Sequence, residues 1–318
     1  MSRCETMPRV LFGSAVLVVL HASTARADIA EVRDAAEIWR QWSWDPFLLG
    51  SFVVAGFVYG RGARQLWRAA GPGRGISRGR LACFFGGLGC LFVALVSPLD
   101  ALSAALFSAH MLQHLLLVAL AAPLVVLGRP LLAVAWAVPS SQRRHLRRVL
   151  RAPVLRAVVD VATRPMVALA LHAAALWLWH MPAFYEAALR SELVHWLEHA
   201  SFFGTSVLLW HVLLGSALDP GLRILYLFAS ATQSAVLGAL LTLAPTAWYT
   251  AHDAGARAWG LDLLEDQQLA GLIMWIPGGV IYLAAALVAF AGWLGQSERA
   301  VRRREAVRGP YLGERRRA

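Results

Sequence analysis

The sequence predicts an all-α, polytopic integral membrane bundle of about seven transmembrane helices, and three observations predict it. Of 318 residues, 58% are hydrophobic and 15% are charged, where a soluble domain carries roughly 25% charged residues. The charges are clustered, which leaves apolar runs of the roughly 20 residues that a helix needs to cross a bilayer. Arg-rich and Arg-poor connections alternate along the chain, as they do when successive loops lie on opposite sides of a membrane.

The elements follow in order. Residues 1–27 read as a signal peptide: Arg3 and Arg9 give a basic start, Val10 to Leu20 an apolar core, and Ala25-Arg26-Ala27 a cleavage site. An uncleaved first helix is the other reading. Residues 28–45 form an outer polar segment, 46–296 the transmembrane domain and 297–318 a basic cytoplasmic tail. The spans are expected at 46–66, 80–97, 103–128, 165–182, 194–217, 222–244 and 267–294. The connection after the first span holds Arg61, Arg64, Arg68, Arg74, Arg78 and Arg80, whereas Ser97-Pro98-Leu99-Asp100 has no basic residue. The third connection is again Arg-rich, from Arg129 to Arg164, and the tail carries another Arg cluster. The positive-inside rule then puts the N-terminus outside and the C-terminus in the cytoplasm of a bacterial inner membrane.

The net charge of +11 comes from 30 basic residues, all Arg. They fall in short loops, and no stretch is left to build a soluble nucleic-acid groove. The charge reads as topology plus attraction to anionic membrane lipids. Cys4, Cys83 and Cys90 form no CxxC pair or disulfide framework. No Walker loop, G-x-S-x-G or dinucleotide fingerprint suggests an enzyme.

The chemistry lies in the histidines. Ionisable residues inside apolar spans are functional candidates by default. Counted back from Arg129, His110 lies about 28 Å and His114 about 22 Å across the membrane. His180 lies about 24 Å beyond Arg164, and His199 about 30 Å from Asp219 with His195 slightly further. Five histidines from three helices therefore share the outer leaflet, and His252 lies on the same side. His110/His114 and His195/His199 are both H-x-x-x-H, which puts each pair on one helix face. Imidazole suits copper and zinc, and the thioethers of Met111 and Met181 suit Cu(I). Asp100 is an outer carboxylate able to ligate or to orient a histidine. Asp262, Glu265 and Asp266 form an acidic group before the last span; solvated loop charge is the ordinary reading and a cation site the other. A single intramembrane histidine is usually an interhelical hydrogen-bonding residue, but two pairs at one depth exceed that reading. Deeper, His172 and His211 both lie about 12 Å from the cytoplasmic face, and they are the pair that a bis-histidine haem would use.

Several segments together resemble one family: S-P-L-D with A-H-M-L-Q-H-L-L-L (97–117), A-P-L-V-V-L-G-R-P (122–130), W-H-M-P-A-F-Y-E-A-A-L (179–189), H-W-L-E-H (195–199) and D-Q-Q-L-A-G-L-I-M-W-I-P-G-G (266–279). They resemble the CtaG family, multi-span assembly factors of caa-type cytochrome c oxidases. The resemblance covers most of the chain from the third span onward. It implies a role in oxidase biogenesis and copper supply, with cytochrome c oxidase subunits as partners, while the outer-leaflet placement of the histidines suits loading from a periplasmic copper donor. The positions matching its motifs are Asp100, His110, His114, His180, His195, His199 and Asp266. The expected function is therefore an assembly factor that binds copper at the outer histidines. A haem-binding redox protein and a copper transporter are the alternatives.

Overall fold

The computed structural model describes residues 35–215 and 218–314. The expected signal peptide lies outside them, as does the outer segment up to residue 34. The described chain is helical almost throughout. After a one-turn helix, Ala35–Ile38, it runs α1 (Pro46–Ala70), α2 (Arg78–Leu95), α3 (Pro98–Ala105), α4 (Phe107–Leu127), α5 (Pro130–Ala137), α6 (Ser140–Leu150), α7 (Pro153–Ala162), α8 (Pro165–Trp179), α9 (Pro182–Arg190), α10 (Glu192–Leu214), α11 (Pro220–Thr242), α12 (Asp253–Ala258) and α13 (Leu263–Glu314).

Prolines set many of the starts. α1, α3, α5, α7, α8, α9 and α11 each open on one, where the missing N–H has no helical partner to lose and the ring pre-sets φ. Pro182 also bars Met181 from helical geometry, so α8 and α9 bend by 75° at that break.

Among the described residues, five helices (α1, α2, α4, α11 and α13) are long and apolar enough to cross a membrane, and the bent α8–α9 pair makes a sixth if counted as one span. The expected seventh, α10, has 23 residues and is long enough. Glu192, His195, Glu198 and His199 lower its apolarity, which is why it falls outside that set. Outward-facing residues such as Phe57, Phe228 and Val288 are exposed, as lipid-facing side chains of a multi-pass membrane protein are. Three boundaries differ from expectation. The span expected at 103–128 is broken at Leu106, which is extended (φ −125, ψ 131). The first helix continues to Ala70, taking in Arg61, Arg64 and Arg68. The last runs unbroken from the apolar span into the basic tail as far as Glu314.

Within α4, residues Leu116–Ala121 are wound as π-helix. The amide of Ala122 donates to the Leu117 carbonyl, and Pro123 has no N–H to give. The Val118 carbonyl is thereby left without a helical donor. α10 supplies two: Ser206 Oγ at 2.7 Å and Trp210 Nε1 at 3.1 Å. This seam fixes α10 against α4. α11 and α13 meet more closely still, because a Cβ on Gly238 would lie 2.9 Å from the Gly271 carbonyl oxygen. Small residues permit such backbone approach inside membranes.

Candidate metal centre

The connections α2–α4, α8–α10 and α11–α13 gather at one end of the bundle. Tyr249 Oη donates to the His180 carbonyl at 2.6 Å, and Gly255 packs against the backbone of Ala105. α4 begins at this end without a capping side chain of its own. Asp266, from the start of α13, takes that place. Its carboxylate accepts from Phe107 N at 2.7 Å and Ser108 N at 3.1 Å, satisfying two of the amides that every helix start leaves open. Asp266 is fully buried. Asp100 acts one step further out: its Oδ1 accepts from Gln113 Nε2 at 3.1 Å, and the same amide donates to the Ala94 carbonyl at 2.7 Å. The two acids hold α4 and its histidines in place.

α4 so held presents His110 and His114 to His195 and His199 of α10. The ring centroids of His110 and His114 are 4.3 Å apart, and those of His195 and His199 4.2 Å. Across the seam, His110 lies 5.7 Å from His195, and His114 5.2 Å from His199. Glu198 stands between the pairs, 1% exposed, with Oε1 at 3.7 Å from Nε2 of both His110 and His114. That separation is too long for a hydrogen bond. Nε2 of His110, His195 and His199, both ring nitrogens of His114, and Oε2 of Glu198 are buried with no partner among the described residues. His110, His195 and Glu198 each bring a ligand atom within 4.8 Å of the other two.

The remaining expected residues lie in four different places. His180 is buried at the end of α8, its Nε2 3.3 Å from the sulfur of buried Met111. His252 sits behind the cluster and is bonded to Tyr185 Oη at 2.6 Å. Burial, reinforced by nearby His110, pushes the His252 imidazolium down to about 4. The ring is therefore neutral near pH 7, with one nitrogen carrying a hydrogen and the other a lone pair. Met181, by contrast, is exposed at the α8–α9 bend, because Pro182 turns that residue out of the helix. The deeper pair is not brought level either. His172 Nδ1 lies 3.3 Å from Thr205 Oγ1, and Thr205 is six residues, about 9 Å, along α10 from His211.

Three residues in or beside the cluster do not stand out in the sequence. Glu198 lies inside the quoted H-W-L-E-H segment, three residues from His195, a spacing that shares a helix face. A carboxylate inside an apolar span is itself a signal. Tyr185 and Gln113 were hidden by their ordinary roles as packing and amide residues.

Residues 57–296 match the family described as cytochrome c oxidase caa3 assembly factor. The chain belongs to that family. The match takes in every helix that supplies the cluster. Two curated relatives of this caa3 assembly factor family member are uncharacterized proteins of Mycobacterium bovis and Mycobacterium tuberculosis, each 26% identical over 285 residues. The alignment covers 85% of this chain and 42% of each relative, so the chain spans about two-fifths of their length. No solved structure matches it.

Proposed function

We propose that this protein binds a copper ion at the buried imidazole–carboxylate cluster and assists its loading into a cytochrome c oxidase during assembly. The observation that carries the reading is the convergence of unpartnered ligand atoms from α4 and α10: His110, His114, His195, His199 and Glu198. Buried polar groups in native proteins are nearly always satisfied, and a buried carboxylate without a counter-charge is costly. A cation answers both demands at once. Imidazole and carboxylate together suit copper or zinc, and membership of an oxidase assembly family favours copper.

The chain's own residues divide the work. Glu198 supplies the single negative charge that balances a monovalent ion inside the bundle. The four imidazoles offer more donors than one copper ion needs, which lets the ion shift between ligands by exchange instead of being trapped. Asp266 and Asp100 keep α4 in register, and Tyr185 with His252 closes the side facing the connections. The positive-inside reading puts the cluster toward the outer face of a bacterial inner membrane. There it suits loading from a periplasmic copper donor and delivery to nascent oxidase subunits.

The test is metal analysis and visible spectroscopy of detergent-purified protein, wild type beside His110→Ala/His114→Ala, with oxidase activity of the corresponding membranes. Copper near one ion per chain, lost in the double variant together with oxidase maturation, is the expected result. A Soret band in the wild type would replace copper with haem. Normal oxidase maturation in the double variant would remove the delivery role.

A further inference from the structure

Next to the imidazole–carboxylate group the structure holds a pair of different chemistry. Met111 follows His110 on α4, so its side chain leaves the helix roughly 100° further round. It is 1% exposed, and its sulfur lies 3.3 Å from His180 Nε2.

The tautomer of His180 is set by its other nitrogen. Nδ1 lies 2.7 Å from the Leu176 carbonyl oxygen, which can only accept, so Nδ1 carries the hydrogen. In a neutral ring Nε2 then presents a lone pair. A thioether sulfur also presents only lone pairs. Two acceptors thus face each other at contact distance in a buried place, where neither can turn to water. A second proton on the ring would provide a donor, but it would charge a side chain that is 5% exposed. The cluster's carboxylate, Glu198, is set against His110 and His114 instead. A soft cation within bonding reach of both atoms turns the opposed lone pairs into a chelate.

We propose that His180 and Met111 form a second, softer cation subsite for monovalent copper, beside the subsite of His110, His195 and Glu198. Thioether ligands select Cu(I), whereas imidazole with carboxylate accepts Cu(II) and Zn(II) as well. Phe202 packs against the rings of both His114 (4.6 Å) and His180 (6.1 Å), so the soft pair and the imidazole cluster share an apolar wall. This inference rests on the reading of the cluster as a metal site and adds oxidation-state selectivity to it.

The experiment uses the full-length purified protein, loaded anaerobically with Cu(I) or separately with Zn(II), as wild type, Met111→Leu and Glu198→Gln. X-ray absorption at the copper edge reads the sulfur neighbour, and chelator competition reads affinity. Leu replaces Met at nearly constant volume, so the variant keeps its packing. The expected result is a copper–sulfur shell in the wild type that Met111→Leu abolishes. Its Cu(I) affinity should fall about tenfold or more, while Zn(II) affinity changes little; Glu198→Gln should weaken Zn(II) instead. A sulfur-free Cu(I) shell in the wild type, or equal Cu(I) affinity in Met111→Leu, would overturn the soft subsite and leave the metal reading standing. Failure of the wild type to bind either metal would overturn both.

Discussion

Two seams of the bundle are built on opposite terms. Where α11 meets α13, the contact is apolar and close: Gly238 and Gly271 bring the backbones together, and Leu237, Leu241, Ala270 and Met274 fill the space beside them. Where α4 meets α10 at the histidine end, the interface is filled with imidazole rings and one carboxylate, and six of their buried polar atoms have no hydrogen-bond partner among the described residues. Lipid tails are as apolar as leucine, so helices in a membrane gain little from hydrophobic burial and depend on close packing. The first seam supplies that packing. The second gives it up for buried imidazoles and a carboxylate, and is anchored by bonds placed around it: Asp266 on the start of α4, and Ser206 and Trp210 on the Val118 carbonyl. Close packing and buried polar groups thus fall on different helix pairs, as stability–function trade-offs lead one to expect if the second seam binds the proposed metal.

The contrast can be broken from either side. The largest effect should come from Gly271→Leu, because a Cβ there would already lie 2.6 Å from the Gly238 carbonyl oxygen. A loss of about 3 kcal/mol is expected from such overpacking, read as a lower thermal midpoint in detergent; an unchanged midpoint would mean that the seam does not carry the fold. Asp266→Asn should cost about 1–2 kcal/mol, since the amide loses the charge and can accept from only one of the two amides at once. Hydrogen exchange at Phe107 and Ser108 would check that the start of α4 is where the loss falls. The smallest change in stability should come from His199→Leu. Replacing an unpartnered buried polar group by an apolar one of similar size is nearly neutral or stabilising by about 1 kcal/mol, yet copper affinity should fall about tenfold or more. A clear drop in stability there would show that His199 is a structural residue and erase the distinction between the seams.

Much of the site was legible from spacing alone. Two H-x-x-x-H pairs at equal depth predicted facing rings, and the structure brings those rings within contact of one another. Met111 and Met181 looked equivalent in the sequence, each following a histidine. The structure separates them, burying one against His180 and exposing the other. Counting residues from the membrane edge assumes straight helices, and that assumption fails where Pro182 bends the chain. It fails in a second way for His172 and His211, because depth counted from two different loops assumes that both loops lie at one level, whereas His172 lies beside Thr205, six residues along α10 from His211.

By itself, then, the sequence determined the class of the fold, the approximate places of the helices and the end of the bundle where the histidines gather. Those properties follow from local quantities: apolar length against bilayer thickness, proline at helix starts, arginine in loops, and a four-residue repeat on a 3.6-residue helix. Only the tertiary structure decided which groups meet. That Asp266 caps a helix begun about 160 residues earlier, that Glu198 stands between two histidine pairs, and that Met111 faces a histidine lone pair are all outcomes of helix rotation and register. Rotation and register are set by contacts such as the π-turn carbonyl of Val118 and the glycine approach of α11 to α13, which join residues too far apart in sequence for any local pattern to reveal.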